Sequence, residues 1–460
     1  MSFLESNSPN PHPLFERVGR CRAARYAVAG AYLTASSAQN KLKRRSGNVT
    51  ADDPMAVLRT TWRWLWATLL AVSAATAPMI GKAAPPRQAI PAIDHVFLII
   101  LENEGYHVTF GADSPARYLN RLKNQGAVAR NYFATSHFSL GNYITMISGQ
   151  APNVATDYDC PQFSDFTASN TTADGQAIGS GCVYPASIST IADQLQAKGL
   201  TWKAYMEDMG NHPQRESAAC AHPAIGAPDN TQVAEIGDQY ATRHNPFMYF
   251  HSIIDSPSCA QRVVNLSMLT KDLMAADTTS NFVFITPNLC HDGHDGGVRG
   301  KCVDGEPGGL VSADQFLKAI VPQILASPAF RRDGLLIITF DESDLEYSYD
   351  AASKTLDIKG GDAAACCDEL PGPNIPAYRA TSDRSRVALN GPGLIGPGGG
   401  RIGAVMLSPF IKPGTLSIVP YNHYSLLKSI EDIFQLDHLG YAGQSGLSAF
   451  GADIYTQPNR

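Results

Sequence analysis

The stretch that decides the fold is His95–Tyr106, HVFLIILENEGY. From Val96 to Leu101 no polar residue interrupts it. A strand with one wet face alternates apolar and polar residues. An unbroken run marks a strand covered on both faces, the condition of a parallel sheet enclosed by helices. The run stops at Glu102-Asn103-Glu104-Gly105. Ligands of open α/β sheets bind beyond the carboxyl ends of the strands. Glu102 and Asn103 are therefore candidate metal ligands, although a polar strand terminus is the simpler reading of this motif alone. A second stretch repeats the pattern: Gly334–Asp344, GLLIITFDESD, is another apolar run and ends in Asp341-Glu342. Two covered strands that deliver carboxylates to one sheet edge point to a divalent-metal site.

Around these runs, strand and helix patterns alternate. Strands are predicted at 127–134, 201–206, 281–286 and 401–407, and helices at 115–125, 139–148, 188–198, 266–275, 312–327 and 423–434. Such alternation implies a mainly parallel sheet with helices on both faces, a three-layer α/β sandwich. Residues 151–186, 207–262, 290–309 and 344–400 read as long loops. Loops of that length are uncommon unless they have a function, and here they follow strand ends.

Charge divides the chain. Residues 1–84 carry eleven Lys/Arg and four acids, +7; the whole chain is −6, which leaves −13 for the remainder. An acidic body argues against general nucleic-acid binding, which depends on basic surface. No obligate protein partner is evident. Arg59 and Arg63 precede the apolar Leu65–Ala77, and small residues follow, with A-x-A at Ala75–Ala77 and a second site near Ala83-Ala84. The apolar stretch is short for a bilayer span, and the layout is that of a secretory signal peptide; an interfacial anchoring helix is the alternative. Residues 1–54 are expected to be an extension ahead of a start at Met55, 55–84 the signal peptide, and 85–460 a single domain, secreted or periplasmic. Eight cysteines fall in that domain, Cys160, Cys182, Cys220, Cys259, Cys290, Cys302, Cys366 and Cys367. An even count in an exported chain suits disulfides. The simplest pairs are 160–182, 220–259 and 290–302, with the vicinal Cys366-Cys367 an awkward remainder; sequence alone does not fix the connectivity.

Four polar clusters fall at strand ends or helix starts: Glu102/Asn103, His137/Ser139/Asn142, His291–Asp295 (HDGHD) and Asp341/Glu342; His423 opens the last helix. Carboxylate, amide and hydroxyl oxygens suit Mg²⁺, Ca²⁺ or Mn²⁺, whereas histidines shift the balance toward zinc or iron. Ser139 is the sharpest candidate. A hydroxyl at a helix N-terminus meets the positive dipole end, a place for a phosphate, and metal coordination is one way to activate it. A plain helix cap is the bland alternative. Asn142, one turn on, could present its amide to a phosphate oxygen or be a surface polar residue. In HDGHD, His294 stands ahead of His291, with Asp292 and Asp295 beside it. His423 divides between cap and site, and His137 reads as structural. No G-x-S-x-G elbow or P-loop is present, so an ordinary serine esterase or a nucleotide-cradling enzyme finds no support.

In order, ILEN at 100–103, SHFSLGNYITMISG at 136–149, ITPNLCHDGHD at 285–295, TFDESD at 339–344 and HYSLLKSIEDIF at 423–434 resemble the bacterial and fungal phosphoesterase family. That family includes secreted acid phosphatases and bacterial phospholipases C. The resemblance implies an alkaline-phosphatase-like fold with disulfide-stapled loops over the site. It implies a metal held by Glu102, Asn103, Asp341, Glu342 and the Ser139 hydroxyl. Ser139 would attack phosphorus and form a phosphoserine. Asn142, His294 and Asp295 would bind the substrate, and His294 would protonate the leaving group. Where many members read Ser-Leu-Pro-Asn, this chain has Gly141, which loosens the turn that proline would set. The expected activity is hydrolysis of small phosphate monoesters, lipid phosphates such as phosphoinositides included. The alternatives are a phospholipase C acting on diesters and a non-catalytic binding protein on the same fold. Loss of the nucleophile or of a carboxylate would favour the last, and none is lost.

Overall fold

The two runs that read as doubly covered strands form the middle of an eight-stranded sheet. The computed structural model describes residues 90–297, 300–350, 355–375, 386–388 and 398–456. The expected extension and signal peptide lie outside them. Strand β1 is His95–Leu101, β2 Ala127–Ala129, β3 Trp202–Met206, β4 Val263–Asn265, β5 Phe282–Thr286, β6 Gly334–Phe340, β7 Ala404–Leu407 and β8 Thr415–Ser417. Their order across the sheet is β8-β2-β7-β6-β1-β5-β3-β4. All pairings are parallel except those of β7, which runs antiparallel to both β2 and β6. Every residue of β1, β5 and β6 is buried, as helices on both faces require.

Those helices are α1 (Arg117–Leu122), α2 (Ser139–Ser148), α3 (Ile191–Ala197), α4 (Gly309–Ala326), α5 (Pro328–Asp333) and α6 (His423–Phe434). One layer joins α2, α3 and α6; the other joins α1, α4 and α5. The three-layer sandwich is therefore present. Residues 84–460 cluster as one compact unit.

Several expectations need correction. The helix expected over 266–275 is a 3₁₀ turn, Leu266–Met268, and one α-turn, Leu269–Asp272. The three-residue strands β4 and β8 are too short to show a period. The stretch 344–400, read as an irregular excursion, contains strands at Leu345–Asp350, Thr355–Gly361 and Arg386–Ala388. The loop 151–186 carries a hairpin, Thr167–Thr171 with Ala177–Ser180. Cysteine pairs 160–182, 220–259 and 290–302 lie at disulfide distance, as does the vicinal pair 366–367. Among the described residues no helix is long and apolar enough to cross a membrane.

Candidate active site

Parallel pairing of β1 with β6 sets Leu101 beside Phe340, so Glu102 and Asp341 leave the sheet side by side. The Asp341 N–H donates to the Leu101 carbonyl at 2.9 Å, and the Glu102 N–H to the Asp292 carbonyl at 2.8 Å. Asn103 turns the chain in the left-handed region, φ 56°, which Asn tolerates better than most residues. Its N–H donates to Asp341 Oδ1 and its Nδ2 to Glu102 Oε1, both at 3.1 Å.

Ser139 opens α2 and is 2% exposed. Its hydroxyl donates to Glu102 Oε1 at 2.7 Å. The preceding Phe138 supplies no side-chain cap. Instead Asp159 Oδ1 accepts from the Leu140 N–H at 3.0 Å, and Asn142 ties the entering turn. Asn142 Oδ1 accepts from the Thr135 N–H, the Thr135 hydroxyl and the Ser136 N–H, while its Nδ2 donates to the carbonyls of Ser136 and Phe138. Both ends of this amide are engaged with residues 135–138. The Asn142 amide thus anchors the turn that leads into Ser139. A Cβ at Gly141 would lie 2.6 Å from Asp157 Oδ1. Glycine there leaves room for this buried carboxyl, which accepts from the Ser136 hydroxyl at 2.8 Å.

The residue that sequence reading missed is His244. It belongs to a 3₁₀ turn, Thr242–His244, in the irregular stretch 207–262. Its ring stacks on Tyr143 of α2 at 5.2 Å and 15°. One ring nitrogen faces Glu102 Oε2 at 2.6 Å and the other Asp292 Oδ2 at 3.5 Å. Neither contact is aligned as a hydrogen bond. Ligand atoms of Glu102, His244 and Asp292 lie within 4.8 Å of one another, and all three residues are buried. Burial holds the His244 pKa below its ordinary value. Burial, and then the Glu102 charge, push the carboxyls of Asp292 and Asp341 well up. Arg243, 7% exposed, reaches Asp159 at 3.8 Å.

The remaining candidates surround this group. His294 is part-exposed; its N–H donates to Asp292 Oδ1 and its Nδ1 pairs with Asp295 Oδ1, both at 2.9 Å. Asp295 therefore orients the His294 imidazole. Glu342 contacts His137 Nδ1, and His137 Nε2 donates to the Asp362 carbonyl at 3.1 Å. The Glu342 carboxylate is thus turned toward His137. His423 is buried and sits behind Asp341: Nε2 donates to the Asp341 carbonyl at 2.5 Å, and Nδ1 accepts from the Tyr132 hydroxyl at 3.1 Å. Burial lowers its pKa to about 4, consistent with this fixed neutral tautomer.

Buried polar atoms without partners are costly. Glu102 Oε2, both His244 nitrogens, Asp292 Oδ2 and Asp341 Oδ2 are all such atoms. Buried carboxylates packed together with an imidazole, their ligand atoms unpartnered, fit a divalent cation. The candidate ligands are Glu102, His244, Asp292 and Asp341, with Asn103 and the Ser139 hydroxyl adjacent.

The profile of the Phosphoesterase family matches residues 112–437. The chain is 27% identical over 231 residues to the phosphate-repressible acid phosphatase of Penicillium chrysogenum, covering 50% of this chain and 44% of that protein. It is 24% identical over 280 residues to the phosphatidylinositol-3-phosphatase of Mycobacterium tuberculosis, covering 61% and 73%. Across the fungal acid phosphatases it matches, the alignments span 44% to 64% of their length. Among solved structures, a protein of the alkaline phosphatase superfamily from Vibrio parahaemolyticus aligns over 78% of this chain and 72% of that one, at 11% identity and a TM-score of 0.40. With the family profile covering most of its length, the chain belongs to the phosphoesterase family.

Proposed function

We propose that this protein is a metal-dependent acid phosphatase that hydrolyses phosphate monoesters through Ser139. One observation carries the reading: a buried serine hydroxyl, at the start of a helix, donates to a carboxylate amid unpartnered ligand atoms. Glu102, His244, Asp292 and Asp341 would hold the cation. Imidazole among the ligands extends the candidates from magnesium, calcium and manganese to zinc and iron. When bound, such a cation supplies a Lewis acid that lowers the pKa of a hydroxyl and offsets phosphoryl charge.

The chain's own residues do the rest. Glu102 Oε1 accepts the Ser139 hydroxyl hydrogen and aims the oxygen. The α2 dipole favours the anionic group that approaches it. Ser139 Oγ passes its proton to Glu102 Oε1 and bonds to phosphorus as the P–O bond to the alcohol breaks, and protonated His294, held by Asp295, gives the alcohol its proton. Water then gives a proton to His294 and bonds to phosphorus as the P–O bond to Ser139 breaks; Ser139 recovers its proton from Glu102, and phosphate leaves. The name of the mycobacterial relative extends the candidate substrates to lipid phosphates such as phosphoinositides. The cysteine pairs suit an oxidising compartment, and export through residues 55–84 is part of the reading.

The test is hydrolysis of p-nitrophenyl phosphate against bis-p-nitrophenyl phosphate by the full chain, with and without chelator, beside Ser139→Ala. Monoester preference that disappears in the variant and in chelator is the expected result. Diester preference would transfer the site to phospholipase C chemistry. A folded, metal-supplied protein inactive on both would return it to a binding role.

A further inference from the structure

Arg243 is 7% exposed and makes one hydrogen bond, Nη1 to the Gln232 carbonyl at 3.1 Å. Asp159 Oδ2 stands 3.8 Å from its Nε, too far for a second. Nε and Nη2 share one edge of the guanidinium plane, and neither has a hydrogen-bond partner among the described residues. Arg215 is the contrast, with a side chain 5% exposed. Its Nη1 donates to the Asp238 carbonyl and carboxylate, and its Nη2 to the carbonyls of Asn230 and Val233. A buried charge is costly unless it is paired and hydrogen-bonded. The open edge of Arg243 therefore asks for an acceptor that the protein does not supply.

Two chains of contacts tie Arg243 to the nucleophile. The next residue, His244, faces Glu102 Oε2 at 2.6 Å, and the Ser139 hydroxyl donates to Glu102 Oε1 at 2.7 Å. Asp159 faces Arg243 with Oδ2, while its Oδ1 accepts at 3.0 Å from the N–H of Leu140, the residue after Ser139. Burial opposes the charge of Arg243, and the carboxylates of Glu102, Asp159, Asp292 and Asp229 favour it. Glu102 and Asp292 are candidate metal ligands. Once they hold a cation, their charge no longer balances the guanidinium, and the pocket attracts an anion. A phosphate monoester has three oxygens free of carbon, and a diester has two. A guanidinium edge takes two oxygens side by side, and the cation takes a third. We propose that the Nε–Nη2 edge of Arg243 receives two oxygens of the phosphoryl group and so selects monoesters over diesters. This rests on the phosphatase reading above and names what sets its substrate class. Asp159 is the positioning residue for that edge.

The experiment is calorimetric titration of the full chain, metal supplied, with inorganic phosphate and with dimethyl phosphate. Wild type should bind inorganic phosphate more tightly. Arg243→Lys keeps the charge beside Asp159, and with it the fold, but loses the planar fork. It should weaken phosphate binding about 10- to 100-fold, the worth of a hydrogen bond to a charged group. Dimethyl phosphate should weaken far less, so that the preference collapses. Arg243→Ala should lose phosphate binding and regain part of it when free guanidinium ion is added, a rescue that a merely structural role would not show. Equal weakening of both ligands by Arg243→Lys, or affinities that match wild type, overturns the role of Arg243. So does a wild type that hydrolyses p-nitrophenyl phosphate yet binds the two ligands equally. In each of these cases the phosphatase reading stands on the turnover of wild type. A wild type that binds neither ligand and hydrolyses no ester overturns that reading as well.

Discussion

Replacing Asp292 by asparagine should make the metal-free protein more stable while abolishing its response to metal. Asp292 is fully buried, its Oδ1 accepts the His294 N–H, and its Oδ2 has no partner. Asparagine has the same shape, keeps the acceptor and removes one charge. The ligand atoms of Glu102 and Asp292 lie within 4.8 Å of each other. Two carboxylate charges at that separation and an effective dielectric of about 20 repel by about 3.5 kcal/mol. Part of that repulsion is relieved when the buried carboxyl takes a proton, so a gain of about 2 kcal/mol is the expectation, or roughly 2–5 °C in Tm. A cation at a hundred times its Kd adds about 2.7 kcal/mol to the wild type and little to the variant. Thermal unfolding in chelator and in each candidate cation reads both effects, and the order of stabilities should reverse. A variant no more stable in chelator, or one stabilised by cation as strongly as wild type, would refute the reasoning.

Asn142→Ala should lower both stability and kcat. It leaves the buried N–H groups of Thr135 and Ser136 without an acceptor, at about 1–3 kcal/mol each, and loosens the turn that places Ser139. Denaturant unfolding and steady-state kinetics check this, and an unchanged kcat would show that the anchor is irrelevant to the nucleophile. His291 predicts a pH dependence of stability. Burial opposes its charge, but the flanking Glu207 and Glu306 carboxylates win and raise its pKa to about 9. A folded-state value above the ordinary 6.5 contributes stability that is complete below pH 6.5 and lost as pH climbs through 9. Wild-type Tm should therefore fall between pH 7 and 9.5 more steeply than that of His291→Asn, and parallel curves would remove His291 from the account.

What the sequence made legible follows from the physics of each segment. β1 and β6 are covered on both faces, so their apolar runs are unbroken and their acidic ends stand out. The helices 139–148 and 423–434 carry clear starts, the second capped by Asn422, which accepts from the Ser425 N–H at 3.0 Å. His244 left no such trace. It sits in a stretch without periodicity, and only tertiary packing against Tyr143 brings it to Glu102. The engagement of Asn142 was equally hidden, because an amide near a nucleophile looks the same in sequence whether it faces substrate or its own turn. The sheet's outer strands β4 and β8 draw their pairing from neighbours rather than from any pattern of their own.

The position of β1 in the sheet also sets a timetable. This strand ends at residue 101, yet its neighbours β5 and β6 begin at residues 282 and 334. At roughly ten residues per second of synthesis, the apolar strand waits about 18 s for its first partner. Through that interval its backbone groups and greasy side chains have nothing in the nascent chain's sheet to pair with. Such an edge invites association with other chains, so the half-made protein depends on being held apart until its second half arrives. A chain cut anywhere before residue 334 would lack β6, the strand beside β1, and with it Asp341.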